Sequence, residues 1–205
     1  MNHIKNIIFD IGNILIDYKW IEMIMELGVT RNEAIQIGRE IFNGPEWSEK
    51  FDRGIVNQDE ISNILGDKYP EHRKELWWVI HHPEKMPVPR PDVWEKVKIL
   101  KDKGYKLYYL SNYTHSLLDI HIKDMPWPAW MEGGILSCDV KKIKPEQEIY
   151  KILLDTYKLK ADECFFIDDV EKNIIGGKAV GIDGFVADSK EKLISILDEL
   201  INQKM

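Results

Sequence analysis

Two cysteines in 205 residues leave little room for a disulfide framework or a thiolate metal site. Cys138 and Cys164 lie far apart and show no metal-ligand spacing, so two reduced and mostly buried thiols are expected. No apolar run approaches the length of a membrane span. At the amino end, Asn6-Ile7-Ile8-Phe9 is interrupted by Asp10 and Gly12. No small-residue cleavage site follows, which argues against a secretory leader and for a cytoplasmic protein. Low-complexity tracts and internal repeats are missing. So is any excess of positive charge: 28 basic residues against 35 acidic ones give a net charge of -7. Such a surface repels nucleic acid and anionic membrane, and an anionic substrate would need local positive potential built into its site.

What is present is an ordinary globular composition, 44% hydrophobic and 31% charged, enough for one domain or a core with a smaller insertion. Short apolar runs alternate with helical patterns. Strands are expected over 4–9, 105–110, 135–137, 164–167 and 184–187. Between them, Val93, Trp94, Val97 and Leu100 mark a helix closed by Lys101, Lys103 and Gly104. A second is expected to open with Pro145 in its first turn and carries Ile149, Ile152 and Leu153 on one face; a third runs over 191–201. This alternation predicts an α/β fold, a Rossmann-like parallel sheet with helices on both faces.

From 17 to 89 the alternation stops. No convincing strand occurs there, only about four helical segments, with start signals at Thr30/Glu33 and Asn57/Glu60. Pro83, Pro87, Pro89 and Pro91 suit an extended linker. The division expected is a core of 1–16 and 90–205 with a small helical insertion, 17–89, after the first strand.

Ligands of open parallel sheets gather at the carboxyl ends of the strands. The ends here carry Asp10-Ile11-Gly12-Asn13, then Ser111-Asn112, then Lys144-Pro145 in the loop after the third strand, then Asp168-Asp169 with Asn173 beyond. Singly, each has an ordinary explanation: an aspartate caps a helix, Ser-Asn makes a turn, and paired aspartates favour a helix N-terminus. Together they place up to three carboxylates in one crevice, which is costly without a cation. An all-oxygen site open to water and phosphate suits Mg²⁺. Ser111, nearby backbone N–H groups and Lys144 could then hold a phosphate, with a carboxylate oxygen of Asp10 in line with phosphorus.

In this order the four motifs resemble those of the haloacid dehalogenase superfamily, with Asp10, Ser111, Lys144 and the Asp168–Asp169 pair matching over residues 4–187. The insertion falls where that family carries a helical cap. Phe-Asp-Ile-Gly-Asn-Ile-Leu-Ile-Asp and Ile-Asp-Asp-Val-Glu-Lys-Asn-Ile are most similar to a bacterial branch acting on glucose 1-phosphate. The resemblance implies a phosphatase with an aspartyl-phosphate intermediate on Asp10. It implies Mg²⁺ on Asp10, the Gly12 carbonyl and Asp169, with Asp168 as a ligand or just behind one. Ser111, the Asn112 backbone and Lys144 would bind the phosphoryl group.

One position departs from the family pattern. Its phosphatases usually carry a second aspartate, a general acid and base, where this chain has Gly12. Asp17 is a weak replacement. Without a donor, the enzyme is expected to favour esters with a good leaving oxygen. Two rivals follow: a dehalogenase, whose halide needs no proton, and a non-catalytic domain binding a sugar phosphate or a protein. Candidates for substrate contact in the insertion are Trp20, Trp47, Arg53, Trp77, Trp78, His81 and His82, of which no more than one or two are expected to touch it, since aromatics at helical spacing are usually core and charged residues a solvated face. Trp127 and Trp130 suit packing or an interface as well as a ligand.

Overall fold

The structure, a computed structural model, describes residues 3–203. Strands β1 (Asn6–Phe9), β4 (Lys106–Ser111), β5 (Gly133–Leu136), β6 (Cys164–Asp168) and β7 (Asp183–Val186) form one parallel sheet in the order β5-β4-β1-β6-β7. Ile7, Ile8 and Phe9 of the central strand are all fully buried. A strand covered on both faces needs such an unbroken apolar run.

Successive side chains point to opposite faces, and two clusters of buried residues follow from that. Ile7 and Phe9 join Val93 and Val97 of α5 (Pro91–Asp102) and Leu193 and Leu197 of α10 (Lys190–Asn202). Ile8 joins Ile149 and Leu153 of α8 (Gln147–Tyr157) and Ile174 of α9 (Glu171–Lys178). Each fully buried aliphatic side chain stabilises by about 1.5–3 kcal/mol relative to exposure. α5 ends where Gly104 takes up φ 98, a left-handed conformation for which glycine pays no Cβ penalty.

Between β1 and β4 lie α1 (Trp20–Met25), α2 (Arg31–Phe42), a π-helical turn over Trp47–Asp52, α3 (Gln58–Lys68) and α4 (Arg73–His81). α3 opens with a complete capping box, Asn57 accepting from the Glu60 N–H and Glu60 accepting from the Asn57 N–H. Thr30 caps α2 by accepting from the Glu33 N–H.

Three expectations need correction. Pro87–Pro89 is a strand, β3, paired antiparallel with β2 (Ile16–Tyr18) rather than a linker. A two-stranded ribbon is all edge, so prolines that cannot donate are tolerated there. Pro145 precedes α8 instead of sitting in its first turn, and follows Lys144 through a cis peptide bond. Ser111 belongs to β4, and 135–137 shifts back so that Ser137 opens α7 (Ser137–Val140). The remaining helix of the core is α6 (His115–His121).

Trp127 is fully buried and meets Tyr109 edge-on, at 6.5 Å between ring centroids, while Trp130 packs beside the same core. Both therefore pack. Trp127→Ala is expected to cost about 3–5 kcal/mol in urea unfolding, because the cavity cannot collapse around a lost indole. A cost below about 1 kcal/mol would mean that the ring is not part of the core. Cys164 is buried, Cys138 partly so, and both are free. Among the described residues, no helix is long and apolar enough to cross a membrane.

Candidate active site

Parallel register brings the site together. Phe9 lies opposite Tyr109 on one side and Ile167 on the other, so the residues that follow each strand emerge along one edge. There Asp10 meets Ser111 and Lys144. Its Oδ1 accepts from the Ile11 N–H (2.8 Å) and the Ser111 hydroxyl (2.6 Å), and lies 2.8 Å from the Lys144 ammonium. Among the described residues nothing donates to Oδ2. One oxygen is held and the other is free.

Lys144 is itself fixed from three directions. Its ammonium lies 2.7 Å from Asp168 Oδ2, and its backbone is bracketed by Asn112, whose Oδ1 accepts from the Lys144 N–H (2.7 Å) and whose Nδ2 donates to the Lys144 carbonyl (3.2 Å). The Asn112 side chain is therefore a brace for the lysine loop. Asp168 is wholly buried; Oδ1 accepts from the Val170 N–H (2.8 Å), and Asn173 Nδ2 reaches both oxygens at 3.0 and 3.1 Å. Asp169 is less buried and accepts from Asn13 Nδ2 at 2.9 Å. Asn13 holds that contact from a left-handed backbone, φ 56, which asparagine tolerates better than most residues.

Asp10, Asp168 and Asp169 offer carboxylate oxygens within 4.8 Å of one another. Against them stands the single ammonium of Lys144. Burial pushes Asp10 up to about 7; Lys144 opposes this, and Asp168 and Asp169 add to it. Burial raises Asp169 as well, against the Asn13 hydrogen bond. Burial also works against the charge of Lys144, but the Asp10 and Asp168 carboxylates outweigh it and hold the ammonium above its ordinary range. A hard divalent cation fits this donor set, since it would supply the charge that three clustered carboxylates lack.

These groups line one side of a cavity of about 670 Å³. Helices α1, α2 and the π-helical turn supply much of the rest: Trp20, Ile21, Phe42 and Trp47 make an apolar wall, with Arg39 and Asn43 among the polar groups. Of the seven candidates in the insertion, only Trp20 and Trp47 line it. Arg53 is paired with Glu49 and Glu146. Trp77, half exposed, stacks on His81, and Trp78 on His82. Asp17 is tied to Arg90 at 3.1 Å and does not line the cavity.

Several lining residues were not singled out by the sequence. Tyr18 fills the space beside Gly12: an added Cβ would lie 3.0 Å from its hydroxyl and 3.1 Å from its ring. That hydroxyl is 2.7 Å from the Tyr113 hydroxyl, which is 2.6 Å from His121 Nδ1. Burial holds His121 down at about 4 and lifts both tyrosines above the ordinary phenol range. Asp52, at the end of the π-helical turn, is another.

A family model described as haloacid dehalogenase-like hydrolase matches residues 4–181. The chain belongs to that family. The sesquiterpene phosphatase of Aspergillus oryzae is 26% identical over 185 residues, covering 88% of each chain. A D-ribitol-5-phosphate phosphatase of Bacteroides thetaiotaomicron is 24% identical over 214 residues, covering 95% of this chain and 99% of its own. Among solved structures, a family enzyme of Bacteroides thetaiotaomicron in complex with magnesium and inorganic phosphate gives a TM-score of 0.65 at 22% identity, covering 89% of this chain and 93% of that one. This hydrolase thus has relatives of matching length that are phosphatases, and shares its fold with an enzyme that binds magnesium and phosphate.

Proposed function

We propose that this family member is a Mg²⁺-dependent phosphoric monoester hydrolase in which Asp10 is the nucleophile, and that its substrate is a small sugar phosphate such as a hexose 1-phosphate. The observation that carries the chemistry is the unequal treatment of the two Asp10 oxygens. Three donors fix Oδ1. Oδ2 is left to attack phosphorus, and the fixed carboxylate needs no reorientation to do so. Ser111, the Asn112 backbone and Lys144 bind the equatorial oxygens of the phosphoryl group, whose charge must be met as it transfers. Asp10, Asp169 and the Gly12 carbonyl are the residues that would hold Mg²⁺, with Asp168 beside them as a ligand or as the anchor of Lys144. When bound, the ion neutralises phosphate charge and allows the carboxylates to coexist. Segment 17–89 acts as a cap that closes over the substrate and excludes water.

The hexose 1-phosphate assignment rests on the resemblance of the Asp10 and Asp168 motifs to the glucose 1-phosphate branch, and on Gly12. An anomeric oxygen leaves more readily than a primary alkoxide, because the ring oxygen beside it withdraws electrons. The expected result is a higher kcat/KM on hexose 1-phosphates than on the matching 6-phosphates. A second reading is favoured by the apolar wall of Trp20, Ile21, Phe42 and Trp47, and by the relative that acts on a sesquiterpene phosphate. In that case the ester carries an apolar chain. A panel of hexose 1- and 6-phosphates and isoprenoid monophosphates, assayed for phosphate release with and without Mg²⁺, decides between them. No release from any ester, with halide released from a 2-haloacid, would establish the dehalogenase reading instead.

A further inference from the structure

Gly12 cannot give a proton to the leaving oxygen, and the group beside it is poorly suited. The Tyr18 hydroxyl is shared with Tyr113. Burial makes that phenol a weaker acid than usual. Across the cavity lies a carboxyl group with no assigned task. Asp52 is 9% exposed and lines the cavity that holds Asp10, Gly12, Ser111 and Lys144. Among the described residues, no group hydrogen-bonds its carboxylate.

Its backbone, in contrast, is tied down. The Ser137 hydroxyl donates to the Asp52 carbonyl at 2.5 Å. The next residue, Arg53, reaches the core through both Glu146 oxygens, at 2.7 and 3.1 Å, and through the Lys141 carbonyl at 3.2 Å. Lys141 Nζ returns to the Gly54 carbonyl. Gly54 sits at φ 71, and an added Cβ would lie 2.9 Å from Cys138, so chain and core approach closely there. All these core contacts come from segment 137–146, which follows β5 and contains Lys144. The insertion is thus clamped to the lysine loop at and just after a residue whose carboxyl group is left unbound.

We propose that Asp52 is the general acid and base of this enzyme, a proton donor brought in by the insertion in place of the one missing at position 12. The inference rests on the phosphatase reading. In the first step an Asp10 oxygen bonds to phosphorus, the ester P–O bond breaks, and the Asp52 carboxyl proton passes to the departing oxygen, which leaves as an alcohol. In the second, the Asp52 carboxylate takes a proton from water as the water oxygen bonds to phosphorus. The Asp10–phosphorus bond breaks, inorganic phosphate leaves, and Asp52 is protonated again. Burial and the neighbouring Asp10 charge favour the protonated starting form, against a smaller opposing effect of Lys144.

The test compares two esters of similar shape on the full-length protein with Mg²⁺, benzyl phosphate and 4-nitrophenyl phosphate. The first leaves as an alkoxide and needs a proton; the second leaves as a stabilised phenolate and does not. For Asp52→Asn, kcat/KM on benzyl phosphate should fall about a hundred- to ten-thousandfold, and on 4-nitrophenyl phosphate by less than about tenfold. The second step, now without its base, should give a burst of nitrophenol of one equivalent before a slower steady rate. Retained action on the activated ester also shows that the variant is folded. Asp52→Glu should recover part of the benzyl phosphate activity. An equal loss on both esters would overturn the proposal, as would a leaving-group-dependent loss in Tyr18→Phe with Asp52→Asn unaffected. If the wild type hydrolyses neither ester nor any phosphate of the panel, the phosphatase reading itself fails.

Discussion

Asp10→Asn should abolish phosphatase turnover, by at least about a thousandfold, while leaving the fold intact. The asparagine carbonyl can stand where Oδ1 stands, accepting from the Ile11 N–H, the Ser111 hydroxyl and Lys144. The amide nitrogen then replaces the unbound Oδ2, and an amide nitrogen is a poor nucleophile toward phosphorus. Residual activity within about tenfold of wild type would rule out covalent catalysis by this residue. The stability of the metal-free variant provides an independent reading of the same site. Asp10 is raised from 3.8 to about 7, so its proton is held more tightly in the folded chain than in the unfolded one. That contribution is complete below about pH 4, is lost progressively as pH rises, and is gone above about 7. The neutral amide has no such dependence. In chelator, the melting point of Asp10→Asn should therefore gain on wild type between pH 4 and 7 and hold a constant lead above. A lead that shrinks as pH rises would mean that Lys144 outweighs burial at this carboxylate.

Asp10, Ser111, Asp168 and Asp169 were legible because each stands at the end of an apolar run, and a parallel sheet in register brings such ends to one edge; Lys144 was read from the loop that follows the third of them. The five strands of the core could be read for the same reason, with ends displaced by one or two residues. Periodicity was silent where the insertion meets the core. Pro87 and Pro89 contradict a strand in a wide sheet but not in a two-stranded ribbon, and nothing local distinguishes the two cases. The position of Asp52 was invisible for a different reason. An aspartate in a stretch as charged as Glu49-Lys50-Phe51-Asp52-Arg53 reads as a solvated helical face, and the ties of this segment to Ser137, Lys141 and Glu146 are too distant in sequence to be read from it. Gly12 was read from one side alone. Its bare Cα looked like an absence of acid, whereas the structure shows that Tyr18 occupies the space, so Gly12→Asp would require that ring to move. The leaving-group argument drawn from Gly12 loses force to the extent that Asp52 supplies the proton. Preference for hexose 1-phosphates would then report the shape of the cavity, and the Asp52→Asn variant would show a steeper preference than wild type.

Chelation should stop phosphate release and Mg²⁺ should restore it, because three carboxylates share one ammonium in the site. A phosphate dianion would add further negative charge. The two late aspartates should fail in different ways. Asp169 is partly open to the cavity, with one oxygen on Asn13 and the other without a donor among the described residues. Asp169→Ala should raise the Mg²⁺ concentration needed for half-maximal activity and weaken binding in calorimetry, with little change in the melting point. Asp168 has both oxygens engaged, by Lys144, Asn173 and the Val170 N–H. Asp168→Ala leaves Lys144 with Asp10 as its one remaining carboxylate, and breaking a buried pair this way costs about 3–5 kcal/mol. Its melting point should therefore fall while Mg²⁺ binding suffers less than in Asp169→Ala. The reverse pattern would make Asp168 the ligand and Asp169 the bystander. Full activity in a preparation stripped of metal would remove the ion from the mechanism altogether, and leave Lys144, beside Asp10 and Asp168, as the cation that meets the charge of the phosphoryl group.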